Sequence, residues 1–405
     1  MTNNLSPKYD YEHDYDVVIL GAGASGLMCG LTVAQKGLSC IIIDHSPTIA
    51  RKLCLAGGGK GNITNLNLSP KWYVGENPIF CKDVLLQYSP HDIIDLLKKY
   101  NIPWEIRSHD QVFCKVKVAH FVKCLIDECK KNNVQFLLKN SIQKVSANPK
   151  SFVIKTSTQL LKTSNLVLAL GSQAWPATGA TDLGIHIAKQ CCHTIIPTRP
   201  ILVPFILQKN SPLQDLAGIS LNVSITIGAD NKKRTFHYPL LFTHKGISGP
   251  AALQASCFWE KGQTITINFL PHISLIDYMH SFSNTKQTVK SLLKNFFPTR
   301  FIDNFIPINL QSQKVAEISK KNRIWLSNKL HAYVESPLET EGIKKAEAMA
   351  GGVNTYEVNP HTLESNIIPG LYFSGEILDI TGLLGGYNLH WAWASGYVVG
   401  KTIQR

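Results

Sequence analysis

Gly21, Gly23 and Gly26 are spaced as GxGxxG, and Asp44 closes the next apolar run 18 residues past Gly26. Glycines at that spacing let a backbone turn lie against a pyrophosphate, and a carboxylate at that distance can accept from a ribose hydroxyl. A second cluster, RKLCLAGGGKGNITN from Arg51 to Asn65, puts Gly57, Gly58, Gly59 and Gly61 into five positions. Glycine is costly to order, so such a run asks what the backbone must approach. Near the C-terminus, GLLGGYN leads into an apolar helix-like stretch. Gly385, Gly386 and Tyr387 would therefore offer backbone N–H groups at a helix N-terminus, a setting that favours a developing negative charge.

The elements around these residues follow from local pattern. Asp16 to Leu20 (DVVIL) is a short apolar strand, GAGASG a turn, LMCGLTVAQKG a helix and LSCIIID a second buried strand ending in the acid. That order opens a parallel, doubly wound sheet. Two more apolar runs stop in glycine: NLVLAL ahead of Gly171, and LYFSGE, which holds Gly375 and Glu376, with Asp379 just beyond. Helix-like segments are predicted over about 80–100 and 118–131, and strands of hairpin character over 134–156. Short strands are expected over 201–269 and short helices over 274–329, with Lys286, Lys290 and Lys294 recurring every four residues on one helical face.

With 405 residues the chain is long for one hydrophobic core and suggests two domains, or one carrying a large insertion. Apolar content of 44% with 17% charged residues excludes a disordered or fibrous chain. The polar, acidic start does not read as a signal peptide, and no apolar run reaches the ~18 residues of a membrane span, so a cytoplasmic location without membrane partners is the default expectation. The ten cysteines include no CxxC pair, so they are expected to be reduced core residues and no metal site is expected. Of the 41 basic residues, 34 are lysines, a bias that can raise net charge to +13 without any ligand. Its location is more informative: Pro197 to Lys345 carries 18 Lys/Arg against 9 Asp/Glu, whereas the rest carries 23 against 19.

Taken in order, DVVILGAGASGLMCG, RKLCLAGGGKGNITN, LVLALGSQAWPATGATDLG, PTRPILVPF, LLFTHKGISGPAALQAS, AMAGGVNTYEV and GLYFSGEILDITGLLGGYNLHWAW each resemble a motif of the BaiN/RdsA (YhiN-like) family of FAD-dependent oxidoreductases. The segments FCKDVLLQYSPHDIIDLLKKYNI and QVFCKVKVA are most similar to the RdsA branch. The resemblance implies an α/β fold: a three-layer FAD-binding Rossmann-type domain interrupted by an inserted β-barrel plus helical domain. The corresponding boundaries are 1–196, 197–345 and 346–405. It also implies FAD contacts at Gly21, Gly23, Ala24, Ser25, Gly26, Asp44, Arg51, Lys52, Gly57, Gly58, Gly59, Asn62, Gly171, Gly375, Glu376, Asp379, Gly385, Gly386, Tyr387 and Asn388. NAD(P)H is a possible transient electron donor.

The RdsA branch is associated with reducing a uridine of 23S ribosomal RNA to dihydrouridine, which makes ribosomal RNA or a ribosome precursor the expected partner. No stable protein partner is expected. Saturating such a C=C bond needs a proton donor, worth ~10²–10⁴ in rate. The family's GGGRCN reads GGGKGN here, so its cysteine is Gly61 and its arginine Lys60; GYN[F/L]Q reads GYNLH, so glutamine is His390. His244 in FTHKGISGPA is the first candidate donor, held by a helix start at SGPAAL, with His390 and Cys114 as alternatives. Lys60 is a cation available to a developing negative charge. A small-molecule flavin reductase or oxidase acting on an enone or amine, and a non-catalytic RNA-binding flavoprotein, stand as alternatives.

Overall fold

Val17 to Leu20 are fully buried, and the apolar run they belong to forms β1 (His13–Leu20) at the centre of a mostly parallel sheet. On one side β1 pairs in parallel with β2 (Cys40–Ile43), which pairs with Gln135–Leu137; on the other it pairs in parallel with Leu160–Leu168. That last strand is shared between two neighbours. Its first half pairs antiparallel with Ser151–Thr156, which continues to Ile142–Asn148, and its second half pairs in parallel with Leu371–Phe373. The central strands are covered on both faces, which is why they are apolar without alternation. The computed structural model describes residues 13–229, 233–282 and 285–404; the polar start read above falls, through residue 12, outside them.

Helix α1 (Ala24–Ala34) is buried along almost its whole length. A Cβ on its Gly30 would sit 2.7 Å from Ile42 Cδ1, so glycine lets it settle directly on β2. It also packs along the final helix, Tyr387–Thr402. Gly396 and Gly400 lie four residues apart, on one face, and a Cβ there would be 2.3 Å from Ser25 O and 2.8 Å from Cys29 O. The two backbones are in contact, and a side chain at either glycine would force them apart.

The helical stretch predicted over 80–100 is two helices, Cys81–Gln87 and Pro90–Lys99. Pro90 disfavours a helical Ser89, and the break is stabilised locally: Asp92 N–H donates to Ser89 Oγ while Ser89 N–H donates to the Asp92 carboxylate at 2.6 Å.

Two compact units are present, 1–199 with 348–405, and 200–347. The second holds a seven-stranded antiparallel sheet in the order Tyr333–Glu335, Ile265–Asn268, Ser220–Ile227, Arg234–Phe242, Gly246–Ser248, Phe205–Ile206, Glu339–Thr340. The expected barrel is not closed: among the described residues the two edge strands each have one neighbour and do not pair with one another. Short helices follow from Leu275 to His331. The three-lysine face is also corrected, because the helix there is only Val289–Leu293, so Lys286 and Lys294 lie outside it. No described helix is long and apolar enough to cross a membrane.

Candidate functional site

The parallel strands end on one edge of the sheet, and the glycine turns follow there. Gly21 leaves β1 at φ +109°, and a Cβ on it would be 2.3 Å from Ala169 O. Asp44 closes the same turn: Ala22 N–H donates to Oδ2 at 2.8 Å and Ser46 N–H to Oδ1 at 2.7 Å. Gly26 is equally constrained by the chain itself, with its Cβ position 2.0 Å from Gly21 O.

Gly23 differs from both. Its φ of −78° suits any residue, and a Cβ there would meet nothing within 4 Å. Neither conformation nor packing asks for glycine, so the space in front of Gly23 fits a group from outside the chain. The first α1 hydrogen bond runs from Leu27 N–H to Gly23 O, and no side chain caps the helix. The N–H groups of Ala24, Ser25 and Gly26 are therefore left without a capping side chain, and with the helix dipole such a terminus suits an anion.

In the second cluster, Gly57, Gly58, Gly59 and Gly61 all take positive φ, between +58° and +82°. Such a succession of left-handed residues requires glycine whatever lies nearby. Only Gly58 faces fully open space; Gly57 abuts Phe113, and Gly61 is buried. Arg51 and Lys60 are exposed. A Cβ on Gly61 would sit 2.9 Å from Val118 Cγ2 and 3.0 Å from Ile63 Cδ1, so a cysteine here would be directed into packed side chains.

Lys52 Nζ donates to Glu376 Oε2 at 2.8 Å, and Ser172 Oγ donates to the same oxygen at 3.1 Å. Glu376 borders a shallow cleft whose other walls include Gly171, Gln173, Asp182, Thr198 and Gly352. Gly171 (φ +68°) has only Glu376 Oε2, at 4.0 Å, in front of its Cβ position. Gly375 (φ +79°) donates its N–H to Ser395 Oγ at 2.9 Å, and a Cβ on it would be 2.8 Å from Ser25 Oγ. Asp379, expected at the cofactor, is 2% exposed, and its two oxygens accept from Glu76 N–H at 2.8 Å and Gly351 N–H at 3.2 Å, so it ties two loops together. Burial pushes its carboxyl up, against the pull of those two N–H groups.

Around the last glycine turn, a Cβ on Gly386 (φ +94°) would be 2.5 Å from Thr64 O, and Gly385 O accepts from Asn65 Nδ2 at 2.9 Å. Asn388 is committed to the fold: its side-chain oxygen accepts from Gly382 N–H and its amide donates to Gly382 O, both at 2.7 Å. The ring of Tyr387 is buried and stacked on Trp72, with centroids 5.9 Å apart. Two buried polar atoms beside this turn, Asn62 Oδ1 and Trp72 Nε1, have no partner among the described residues. The Gly386 Cβ position is 2.7 Å from Asn62 Oδ1. Orphaned groups at the N-terminus of a long helix are what a bound polar group would satisfy.

The proton-donor candidates separate clearly. His390 is fully buried; Thr64 Oγ1 donates to its Nδ1 at 2.8 Å and its Nε2–H donates to Tyr88 O at 2.9 Å. Burial lowers its pKa to about 4, so it is a neutral core residue, and the expectation of a catalytic acid there is not met. Cys114 is fully buried with its thiol pushed up to about 11, also by burial, and it reads as a packing residue. His244 is exposed, in a tight turn where Thr243 N–H donates to Gly246 O at 2.7 Å. The helix behind it, Gly249–Ser256, has Pro250 in its first turn, but Ser248 makes no side-chain cap. Among the described residues no group of three or more His, Cys, Asp or Glu could hold a metal.

The profile of the HI0933-like protein Rossmann domain matches residues 15–402. The chain belongs to the HI0933-like family. Within it, the chain is 36% identical over 394 residues to a ribosomal RNA dihydrouridine synthase from Escherichia coli strain K12, covering 96% of this chain and 98% of that one. A Haemophilus influenzae protein of the same name is 36% identical over 396 residues, with the same coverage. A 3-dehydro-bile acid delta(4,6)-reductase from Clostridium scindens is 27% identical over 407 residues, covering 95% and 98%. For the HI0933-like chain described here, Ser172, Gln173, Asp182, Thr198 and Gly352 are cleft residues that sequence reasoning did not single out. The glycine pair in AMAGGV was the available signal for the last of these; nothing local marked the others.

Proposed function

We propose that this chain is a flavin-dependent reductase that converts a uridine of 23S ribosomal RNA to dihydrouridine. The observation that carries the proposal is the open, uncapped cradle at Gly23, in a chain that aligns end to end with proteins named for that reaction. When bound, FAD would supply the hydride for the C=C bond, with NAD(P)H as its transient reductant.

The residues of this chain do the remaining work. The N–H groups of Ala24, Ser25 and Gly26 take the pyrophosphate, and the free lone pairs of Asp44 accept from the ribose. Gly58 and Gly171 let backbone approach the cofactor. Glu376, fixed by Lys52 and Ser172, presents a carboxylate to its hydroxyls. The uncapped N-terminus of Tyr387–Thr402, with the Trp72 Nε1–H donor beside it, would suit the electron-accepting edge of the cofactor, and Asn62 Oδ1 would accept from a donor N–H on the bound group. In this assignment 1–196 and 346–405 hold FAD, and 197–345 faces the substrate.

His244 is the proposed proton donor, the one candidate that is exposed. The experiment is single-turnover oxidation of the reduced holoenzyme by a transcript of large-subunit ribosomal RNA, without oxygen. Transcript-dependent oxidation with formation of dihydrouridine is expected, and His244→Ala should slow it ~10²–10⁴-fold without loss of FAD. Turnover of a simple enone with none on RNA would favour the small-molecule reading and remove this one.

A further inference from the structure

The helix Lys320–His331 contains four Lys or Arg residues and no acid. Its inward face is identified by contacts: Leu326 and Leu330 are buried, Lys329 Nζ lies 4.5 Å from the Phe305 ring and 4.8 Å from the Tyr333 ring, and Arg323 Nη2 donates to Ile318 O. The outward face holds Lys320, Lys321, Ile324, Trp325 and Asn328, all exposed. At about 100° per residue these five fall within about 140° of the helix circumference.

Two features of that face need explaining. Ile324 and Trp325 are 43% and 41% exposed, though a solvated face ordinarily carries neither. Among the described residues, no carboxylate lies within ion-pair distance of Lys320 or Lys321, whereas Lys290 pairs with Asp303 and Lys314 with Glu317. A flat aromatic ring beside two unpaired lysines has the chemistry of a single-stranded nucleic acid site: the ring stacks on a base, and the ammonium groups meet phosphates.

We infer that the outward face of Lys320–His331 is an RNA-docking surface, with Trp325 stacking on an unpaired base and Lys320 and Lys321 meeting the backbone. This rests on the ribosomal RNA reading above. The 18 basic against 9 acidic residues of the inserted segment call for a negatively charged occupant, and the exposed Trp325 ring between the lysines and Asn328 favours one with flat bases, a single-stranded RNA.

The test uses the full-length holoenzyme, a labelled single-stranded oligouridylate and a fragment of large-subunit ribosomal RNA, with affinities measured from low to moderate salt. Lys320→Glu with Lys321→Glu should weaken binding and lower the slope of log affinity against log salt by about 1.4, roughly 0.7 per phosphate on a single strand. Trp325→Ala should weaken binding roughly 5- to 150-fold with the slope unchanged, and Trp325→Phe should recover most of it. Melting temperature and flavin absorbance confirm that each variant is folded. Parental RNA affinity in both charge and Trp325 variants overturns the inference and leaves the enzymatic reading standing. No RNA binding by the parent protein removes both. Loss of self-association in Trp325→Ala, with RNA affinity unchanged, would make the face a contact between copies and also overturn it.

Discussion

Replacing Gly23 by alanine separates a ligand-binding glycine from a structural one, because the chain itself has no use for the missing side chain. Gly23 has φ −78° and open space where its Cβ would be. Alanine is a poorer N-cap residue than glycine, a cost of up to ~1 kcal/mol. It also restricts the unfolded chain, a gain of ~0.4–1 kcal/mol. The two terms offset, so the apoprotein should keep its stability to within about 1 kcal/mol. Gly26→Ala is the control: its Cβ would be 2.0 Å from Gly21 O, so backbone must move, at a cost of at least ~1–3 kcal/mol. The assay pairs thermal unfolding of flavin-free protein with a titration of FAD. Gly23→Ala should melt like the parent and bind FAD at least about tenfold more weakly, ~1.4 kcal/mol. A melting point as low as that of Gly26→Ala, or parental FAD affinity, would refute the reasoning.

Two further outcomes follow from particular contacts. His390 is held neutral with its pKa near 4 against 6.5 for an ordinary histidine, so between those values the unfolded chain binds the extra proton. Stability due to this residue is therefore present above about pH 6.5 and lost as pH falls toward 4, by about 3 kcal/mol in all. His390→Gln, whose amide can donate to Tyr88 O and accept from Thr64 Oγ1, should remove that acid-side loss in urea titrations at several pH values; an unchanged pH dependence would count against it. Gly61→Cys restores the residue expected from the family, but at φ +63° and against Val118 and Ile63 it should cost ~1–3 kcal/mol and leave turnover no faster. A gain in turnover would show that position 61 reaches the reacting atoms.

How much was legible in the sequence depends on what each residue interacts with. The strand, glycine turn, helix and Asp44 are a local pattern, and Ala22 and Ser46 meet that carboxylate as the spacing suggests. Glycine identity, by contrast, does not say whose atoms occupy the missing Cβ. Gly21, Gly26 and Gly386 are filled by the chain's own carbonyls, and of the glycines expected at the cofactor only Gly23 and Gly58 have nothing within 4 Å of that position. His390 and Asp379 looked available because their motifs border the site, yet each is buried against groups distant in sequence: His390 between Tyr88 and Thr64, with both ring nitrogens engaged, and Asp379 between Glu76 and Gly351. The cleft joins Gly171 and Asp182 to Thr198 and Gly352, the last two on paired strands, a juxtaposition that no local spacing encodes. The split at Pro90 was readable from Ser89, Pro90 and Asp92 together, since that triplet is a helix start.

The central claim, reduction of a ribosomal RNA uridine, is tested most directly by nucleoside mass spectrometry of large-subunit ribosomal RNA. The samples are a strain lacking this gene, the same strain carrying it, and the strain carrying the Gly23→Ala variant. Dihydrouridine should be absent from a defined position in the first, restored in the second and reduced in the third. Dihydrouridine unchanged by loss of the gene would contradict the account.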